Sequence, residues 1–289
     1  MPERKLLSLR IEKAGEIGFC LGVKRAINIL EKVARERDGV ETLGPVVHNQ
    51  QVLQTLAEIG IRVAKGVEDI QGDAVVISAH GVSPQVEAEL RTRHIDIIDT
   101  TCPFVSRLQI TAQKLAKAGF FIVIYGDHNH TEVKAALGWA NNQGIAALDD
   151  KFIAKLNKLP RRIGILSQTT QVPVRFTVFI KQLIDSAFTR DSEIRIIDTI
   201  CHDIRERQAA ALELAKKVDL MLVIGDRNSA NTNRLAELCS TATKTHLVET
   251  AADIQPSWLS VQSYIGITAG TSTSEHTIDE VTTKLEELT

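Results

Sequence analysis

Several things this 289-residue chain lacks bound its function before any motif is read. It has no excess of either charge. Its 34 Lys and Arg stand against 36 Asp and Glu, with no basic stripe, which argues against a nucleic-acid binder. No apolar run reaches the ~18–20 residues of a membrane span. The opening MPERKLLSLRIEKAG carries neither the apolar stretch nor the cleavage site of a secretory signal, so a cytoplasmic protein is expected. Linkers rich in Pro, Ser or Gly are missing, as are low-complexity tracts. Paired cysteines are missing too. Cys20, Cys102, Cys201 and Cys239 are dispersed, which suits reduced thiols, metal ligands or a nucleophile better than a disulfide framework. What remains, 44% hydrophobic and 24% charged, is an ordinary globular composition with ample core material. Length alone suggests about two domains.

What the chain does have is a repeat. IIDTTC ends at Cys102 and IIDTIC ends at Cys201. A helical pattern follows each of these cysteines and also Cys20: LGVKRAINILEKVARE, PFVSRLQITAQKLAKAG and HDIRERQAAALELAKK. In the second, Pro103 lies just inside the start and Gly119 past the end. Each helix leads to a strand-like segment ending in glycine: VETLG, FFIVIYG and LMLVIG. The intervals Cys20–Gly44, Cys102–Gly126 and Cys201–Gly225 are all 24 residues. Four residues beyond those glycines stand His48, His130 and Ser229; six beyond stand Gln50, Glu132 and Asn231. Another helix and a third strand follow in each copy, and AVVISAHG, RIGILSQTT and YIGITAGTS all run into turns of small polar residues. Alternating strands and helices at a period near a hundred residues predict three small parallel α/β layers, forming a trefoil with segments 1–102, 103–200 and 201–289 as domains. Ligands of open parallel sheets sit at the carboxyl ends of strands, beside helix N termini. The repeated polar residues fall there, so three copies about a pseudo-threefold axis would bring the cysteines together.

Three thiolates at equivalent positions suit a soft metal site. No C-x₂₋₄-C pair is present for a structural zinc. Three ligands and an open position fit either a catalytic zinc or an iron–sulfur cube, and spacing does not separate the two. Cys239 has no counterpart in the other copies and lies on the apolar side of LAELC, so it is expected in the core. Around the cysteines the pattern gathers His48, His80, His130, Gln168, Thr169, Thr170, Ser229, Asn231 and Ser272 beside helix starts, a donor set suited to a phosphate or diphosphate. Glu132 is the single acid among them and is a candidate proton source. His94, His128, His202, His246 and His276 lie outside the repeat pattern.

Taken together, GFCLGVKRAI, VVHN, SAHGVS, TTCP, HTEV, SQTT, DTIC, NSANTNRLAEL and GITAGTST resemble the 4-hydroxy-3-methylbut-2-enyl diphosphate reductase family, from about Gly18 to the C terminus. The resemblance implies a trefoil of three α/β domains around a [4Fe-4S] cluster held by Cys20, Cys102 and Cys201, with electrons from an external donor such as reduced ferredoxin or flavodoxin. It implies that His48, His80, His130, Ser229, Asn231 and Ser272 bind the diphosphate of an allylic alcohol. Glu132 resembles the family's proton-delivery residue, and Thr169 the residue that positions the substrate hydroxyl. The implied products are isopentenyl and dimethylallyl diphosphate. Some positions depart from the family pattern. Ala230 stands where serine is usual, Thr131 where proline is usual, His202 where tyrosine is common, and RERQ replaces an NRQ-like run. Two competing expectations are an iron–sulfur sensor on the same scaffold and a reductase of a related allylic diphosphate. Retention of Glu132 and Thr169 argues against the sensor.

Overall fold

A computed structural model describes residues 9–37, 39–151, 160–187, 191–259 and 264–288. The described residues build three four-stranded sheets, all parallel and all in one strand order. The first sheet holds β2 (Glu41–Leu43), β3 (Arg62–Ala64), β4 (Ala74–Ile77) and β5 (Asp96–Asp99), in the order β3-β2-β4-β5. In the second, β6 (Phe121–Tyr125), β7 (Gly144–Ala147), β8 (Arg162–Ser167) and β9 (Glu193–Ile196) run β7-β6-β8-β9. The third contains β10 (Leu220–Ile224), β11 (Lys244–Val248) and β12 (Tyr264–Ala269), and takes its fourth strand, β1 (Arg10–Lys13), from the start of the chain. Arg10 to Lys13 pair in parallel with Tyr264 to Ile267, as β5 pairs with β4 and β9 with β8. The third repeat is thus completed by the N-terminal segment, which a linear reading of the period does not reveal.

Helices alternate with these strands. α2 (Gln50–Glu58) and α3 (Pro84–Thr92) flank the strands of the first repeat, α5 (Thr131–Trp139) and α6 (Pro173–Ala187) those of the second, and α8 (Ala230–Ser240) and α9 (Glu275–Glu287) those of the third. Three more, α1 (Leu21–Glu36), α4 (Pro103–Lys117) and α7 (His202–Ala215), each begin directly after a cysteine. The three helical patterns expected after the cysteines therefore start at the expected residue, and the α/β class is as expected.

The chain divides into two compact units. One comprises Met1–Val23, Val47–Thr55 and Arg205–Thr289 and carries the third sheet; the other comprises Lys24–Val46 and Leu56–Ile204 and carries the first two. Parallel strands are buried on both faces and read as apolar runs. Accordingly Leu220, Met221, Leu222, Val223 and Ile224 of β10 are all buried. Leu220, Leu222 and Ile224 pack with Ile265, Ile267, Ile278, Val281 and Leu285, while Met221 and Val223 pack with Ala211, Leu214 and Leu235. In the other unit, Leu108, Leu115, Phe120, Ile122, Ile124, Val133 and Leu166 form one core. Full burial of such side chains contributes roughly 1.5–3 kcal/mol each before the entropy of ordering them is subtracted. Cys239 lies in the core of the third repeat with no exposed surface, as the sequence suggested. Among the described residues no helix is long and apolar enough to cross a membrane.

Candidate active site

The repeated hexapeptides now have a physical explanation. In DTT, Asp99 Oδ1 accepts the Thr101 backbone N–H at 2.8 Å; in DTI, Asp198 Oδ1 accepts that of Ile200 at 3.0 Å. Each aspartate so folds a local turn, the usual business of a short carboxylate in a loop. The threonines then tie that turn to the neighbouring strand. Thr100 Oγ1 donates to the Ile77 carbonyl at the end of β4, and Thr199 Oγ1 to the Ser167 carbonyl at the end of β8. Both threonines are buried. Aspartate shapes the turn, threonine anchors it, and the cysteine emerges at the next helix start.

Cys20 reaches the same position without that hexapeptide. The Cys20 N–H donates to the Thr271 carbonyl at 3.1 Å, that of Cys102 to Ala79 at 3.0 Å, and that of Cys201 to Thr169 at 2.9 Å. All three acceptors lie two residues beyond the last residue of the repeat's third strand. The glycines are equally alike: Gly44, Gly126 and Gly225 donate to the carbonyls of Ala64, Ala147 and Val248, the last residues of the edge strands. Cys102 is the residue just before the first turn of α4, Cys20 precedes α1 and Cys201 precedes α7. Burial pushes the Cys201 thiol up to about 11, opposed by the N–H groups of Ile204 and Asp203 and reinforced by Cys102. Burial also raises the Cys102 thiol, opposed by the N–H groups of Phe104 and Val105; the carboxyl of Glu132 raises it further. A helix start, the end that favours negative charge, therefore faces each of these two sulfurs.

In the larger unit, Glu132, Thr169, His80 and His130 lie together. Glu132, on the first turn of α5, is 2% exposed. Its carboxylate accepts two hydrogen bonds from one residue: the Thr169 N–H to Oε1 at 2.7 Å and the Thr169 hydroxyl to Oε2 at 2.9 Å. His130 caps α5 by accepting the Glu132 N–H on Nδ1 at 3.2 Å, and its ring meets that of His80 edge to face, 5.4 Å between centroids. His80 approaches Ser78 Oγ at 3.5 Å and lines a cavity of about 440 Å³ with Ser78, Gly81 and Thr131, so its imidazole is reachable from solvent. Gly81 follows it with φ +68°; a Cβ there would run into the Gln109 amide. Thr131, in place of the expected proline, is the first helical residue, where either is tolerated.

The smaller unit holds Cys20, His48, Ser229, Asn231 and Ser272. Ser272 Oγ donates to the His48 carbonyl at 3.3 Å, and Asn49 Nδ2 to the Ser272 carbonyl at 2.9 Å. Asn231 Nδ2 donates to Thr271 Oγ1 at 3.3 Å. Ser229 caps α8 by accepting the Thr232 N–H, the role that His130 has for α5. Burial lowers the pKa of His48, with Asp226 opposing. Asp226 was not singled out by sequence, yet it shapes this site: Oδ1 accepts the Asn228 N–H at 2.7 Å and Oδ2 the Gln50 N–H at 3.0 Å. The signal was present, because Asp127 follows Gly126 as Asp226 follows Gly225 and accepts the Asn129 N–H in the same way. Asn49, buried between His48 and Gln50, has no such mark in the repeat.

A parallel α/β scaffold that delivers thiols, imidazoles and buried carboxyls to strand ends has the general form of an enzyme, and known proteins give the class. A solved structure of (E)-4-hydroxy-3-methyl-but-2-enyl diphosphate reductase, described as the terminal enzyme of the non-mevalonate pathway, is similar at 35% identity and TM-score 0.70 over 96% of this chain and 99% of that one. Another, of E-1-hydroxy-2-methyl-but-2-enyl-4-diphosphate reductase from Plasmodium falciparum, is 25% identical with TM-score 0.88, covering 97% of this chain and 88% of that one. Curated relatives named 4-hydroxy-3-methylbut-2-enyl diphosphate reductase include one from Dehalococcoides mccartyi strain CBDB1, 58% identical over 97% of this chain and 99% of its own length. One from Aquifex aeolicus is 36% identical over 95% of both chains. The protein is therefore an α/β oxidoreductase. It belongs to the LytB protein family, whose model matches residues 11–286.

Proposed function

We propose that this protein reductively removes the hydroxyl of (E)-4-hydroxy-3-methylbut-2-enyl diphosphate to give isopentenyl and dimethylallyl diphosphate. Two electrons and two protons enter. The C–O bond breaks, one proton leaves with the hydroxyl as water, and the other joins the allylic carbon frame. The observation that carries this reading is the paired grip of Thr169 on the buried Glu132 carboxylate. Among anion-binding donors an ionised carboxyl would repel a diphosphate, so with substrate bound Glu132 serves as the protonated acid, a proton source.

In this reading Cys20, Cys102 and Cys201 hold a [4Fe-4S] cluster. The donor set fits: three thiols occupy one position of the repeat, each at a helix start, while Cys239 is committed to the core. Zinc would bind such thiols but cannot carry the electrons the reaction needs. When bound, the cluster supplies the electrons and a Lewis-acidic iron for the hydroxyl oxygen. Glu132 delivers a proton to the departing hydroxyl, and the Thr169 hydroxyl, held 2.9 Å from Oε2, orients that transfer. His48, His80, His130, Ser229, Asn231 and Ser272 bind the diphosphate, so that remote binding energy fixes the reacting carbon. A neutral His48 still donates one hydrogen bond, and an arriving anion favours its protonated form. The segments 1–102, 103–200 and 201–289 act as the three domains of the trefoil, with Arg10–Lys13 of the first lending its strand to the third sheet. A reduced ferredoxin or flavodoxin is the external donor, and reduced thiols accord with a cytoplasmic setting.

The test is product analysis. Protein loaded anaerobically with iron and sulfide, given the allylic alcohol diphosphate and a strong reductant, is expected to yield two five-carbon diphosphates lacking the hydroxyl. Unchanged diphosphate in a preparation that holds iron and binds the substrate would overturn the reading.

A further inference from the structure

Three arginines make one long-range contact three times. Arg25, five residues after Cys20, donates from Nη1 to the Thr101 carbonyl at 3.2 Å, one residue before Cys102. Arg107, five residues after Cys102, donates from Nη2 to the Asp198 carbonyl at 3.3 Å, three residues before Cys201. Arg207, six residues after Cys201, donates from Nη1 to the Gly18 carbonyl at 2.9 Å and from Nη2 to Phe19 at 3.5 Å, just before Cys20. In each case the helix following one cysteine reaches the loop bearing the next, and in chain order the third contact returns to the first loop.

A single surface arginine on a backbone carbonyl would carry little weight. Three in the first turns after the repeated cysteines, five or six residues on, across 76, 91 and 189 residues of sequence, call for a common cause. Arginine suits the task. Its guanidinium stays charged at every relevant pH, and its fork reaches two carbonyls at once, as Arg207 does. Each cysteine loop is also held through the cysteine N–H, by a carbonyl two residues past the third strand of the sheet it leaves. The arginine adds a tether from the helix that follows another cysteine.

We infer that Arg25, Arg107 and Arg207 are positioning residues, each fixing the loop of the following cysteine from the helix that begins after the preceding one. The consequence for metal retention rests on the cluster reading above; the positioning itself does not. The experiment therefore uses metal-free protein. Arg25→Met, Arg107→Met and Arg207→Met are alkylated with iodoacetamide, and labelling of each cysteine is followed by mass spectrometry. Arg35→Met, which loses only a surface pair with Glu31, is the control.

The expected pattern is crossed. Arg25→Met speeds labelling at Cys102, Arg107→Met at Cys201 and Arg207→Met at Cys20, each by about fivefold or more, the scale of one lost hydrogen bond. The control matches wild type. Labelling that rises at the cysteine of the arginine's own helix, at all three alike, or at none overturns the inference. If a methionine variant does not fold, the lysine variant at that site is read in the same way, since it keeps the charge but not the fork. In iron-loaded protein the same variants should release iron faster to a ferrous chelator. A wild type that takes up no iron would sink the cluster reading and leave the labelling result standing by itself.

Discussion

Thr169 holds both oxygens of Glu132, through its backbone N–H at 2.7 Å and its hydroxyl at 2.9 Å. Glu132 lies on the first turn of α5, the helix after β6, and Thr169 lies two residues past β8, the strand paired with β6. Glu132→Gln preserves this geometry, because the amide oxygen can still accept from the Thr169 N–H and the hydroxyl can turn to accept from the amide nitrogen. The variant is expected to fold, load iron and bind substrate, yet lose turnover by on the order of 10²-fold or more, the scale of a positioned general acid. Turnover, iron content and affinity measured on one preparation check it. Near-normal turnover would show that protons arrive by another route.

Cys239→Ala should leave iron content unchanged, while Cys102→Ala or Cys201→Ala should lower it. Cys239 is wholly buried among Ala211, Leu214, Met221 and Leu235, with its thiol pushed up to about 12 by burial alone. Iron per chain after reconstitution is the readout, and a loss in Cys239→Ala would mean that the wrong three cysteines have been grouped.

The buried thiols also set a pH dependence. The Cys201 thiol, raised from 9.0 to about 11 in the folded metal-free protein, holds its proton where the unfolded chain releases it. The unfolded state then binds fewer protons, so the stability of metal-free protein should fall as pH rises from about 9 to about 11. Denaturant midpoints across that window measure it. Metal loading must displace the same protons, so uptake of cadmium as a thiolate probe should release protons and tighten as pH rises.

Thr199→Val should destabilise the protein by about 1–3 kcal/mol, because the Ser167 N–H and carbonyl both lose their shared partner in a buried setting. Urea unfolding measures the loss. Wild-type stability would mean that the hexapeptide turn does not depend on its threonine.

Much of this architecture was legible in the sequence because a threefold repeat supplies its own controls. Equal intervals from Cys20, Cys102 and Cys201 to a glycine located α1, α4 and α7 and the central strands. The apolar runs FFIVIY and LMLVI announced β6 and β10. The fourth strands β1, β5 and β9 escaped, since RIEK, DIID and EIRI are short, half-exposed and charged, as edge positions allow. The pairing of β1 with β12 joins residues more than two hundred positions apart, which no local pattern can show. In the candidate site, strand-end residues were legible because the fold puts them where ligands bind. Asn49 and the arginine tethers were not, because their partners are backbone carbonyls and a carbonyl leaves no trace in sequence.

Gly81→Ala should weaken substrate binding and cost roughly 1–3 kcal/mol of stability. Gly81 has φ +68°, a region costly for a side chain, and an added Cβ would displace the Gln109 amide. The adjoining residue, His80, would shift with it. Binding titration and thermal unfolding of the variant check both effects; unchanged affinity would remove His80 from the anion site.

The most direct test of the central claim counts electrons. Anaerobically loaded protein is mixed with the allylic alcohol diphosphate and reduced methyl viologen, and dye oxidation is followed beside diphosphate consumption. The expected result is about two viologen equivalents oxidised per diphosphate converted, one electron each, with no oxidation when substrate is withheld and oxidation slowed by on the order of 10²-fold or more when Glu132→Gln replaces the wild type. Dye oxidation without loss of the hydroxyl, or no oxidation by protein that holds iron and binds substrate, would contradict it.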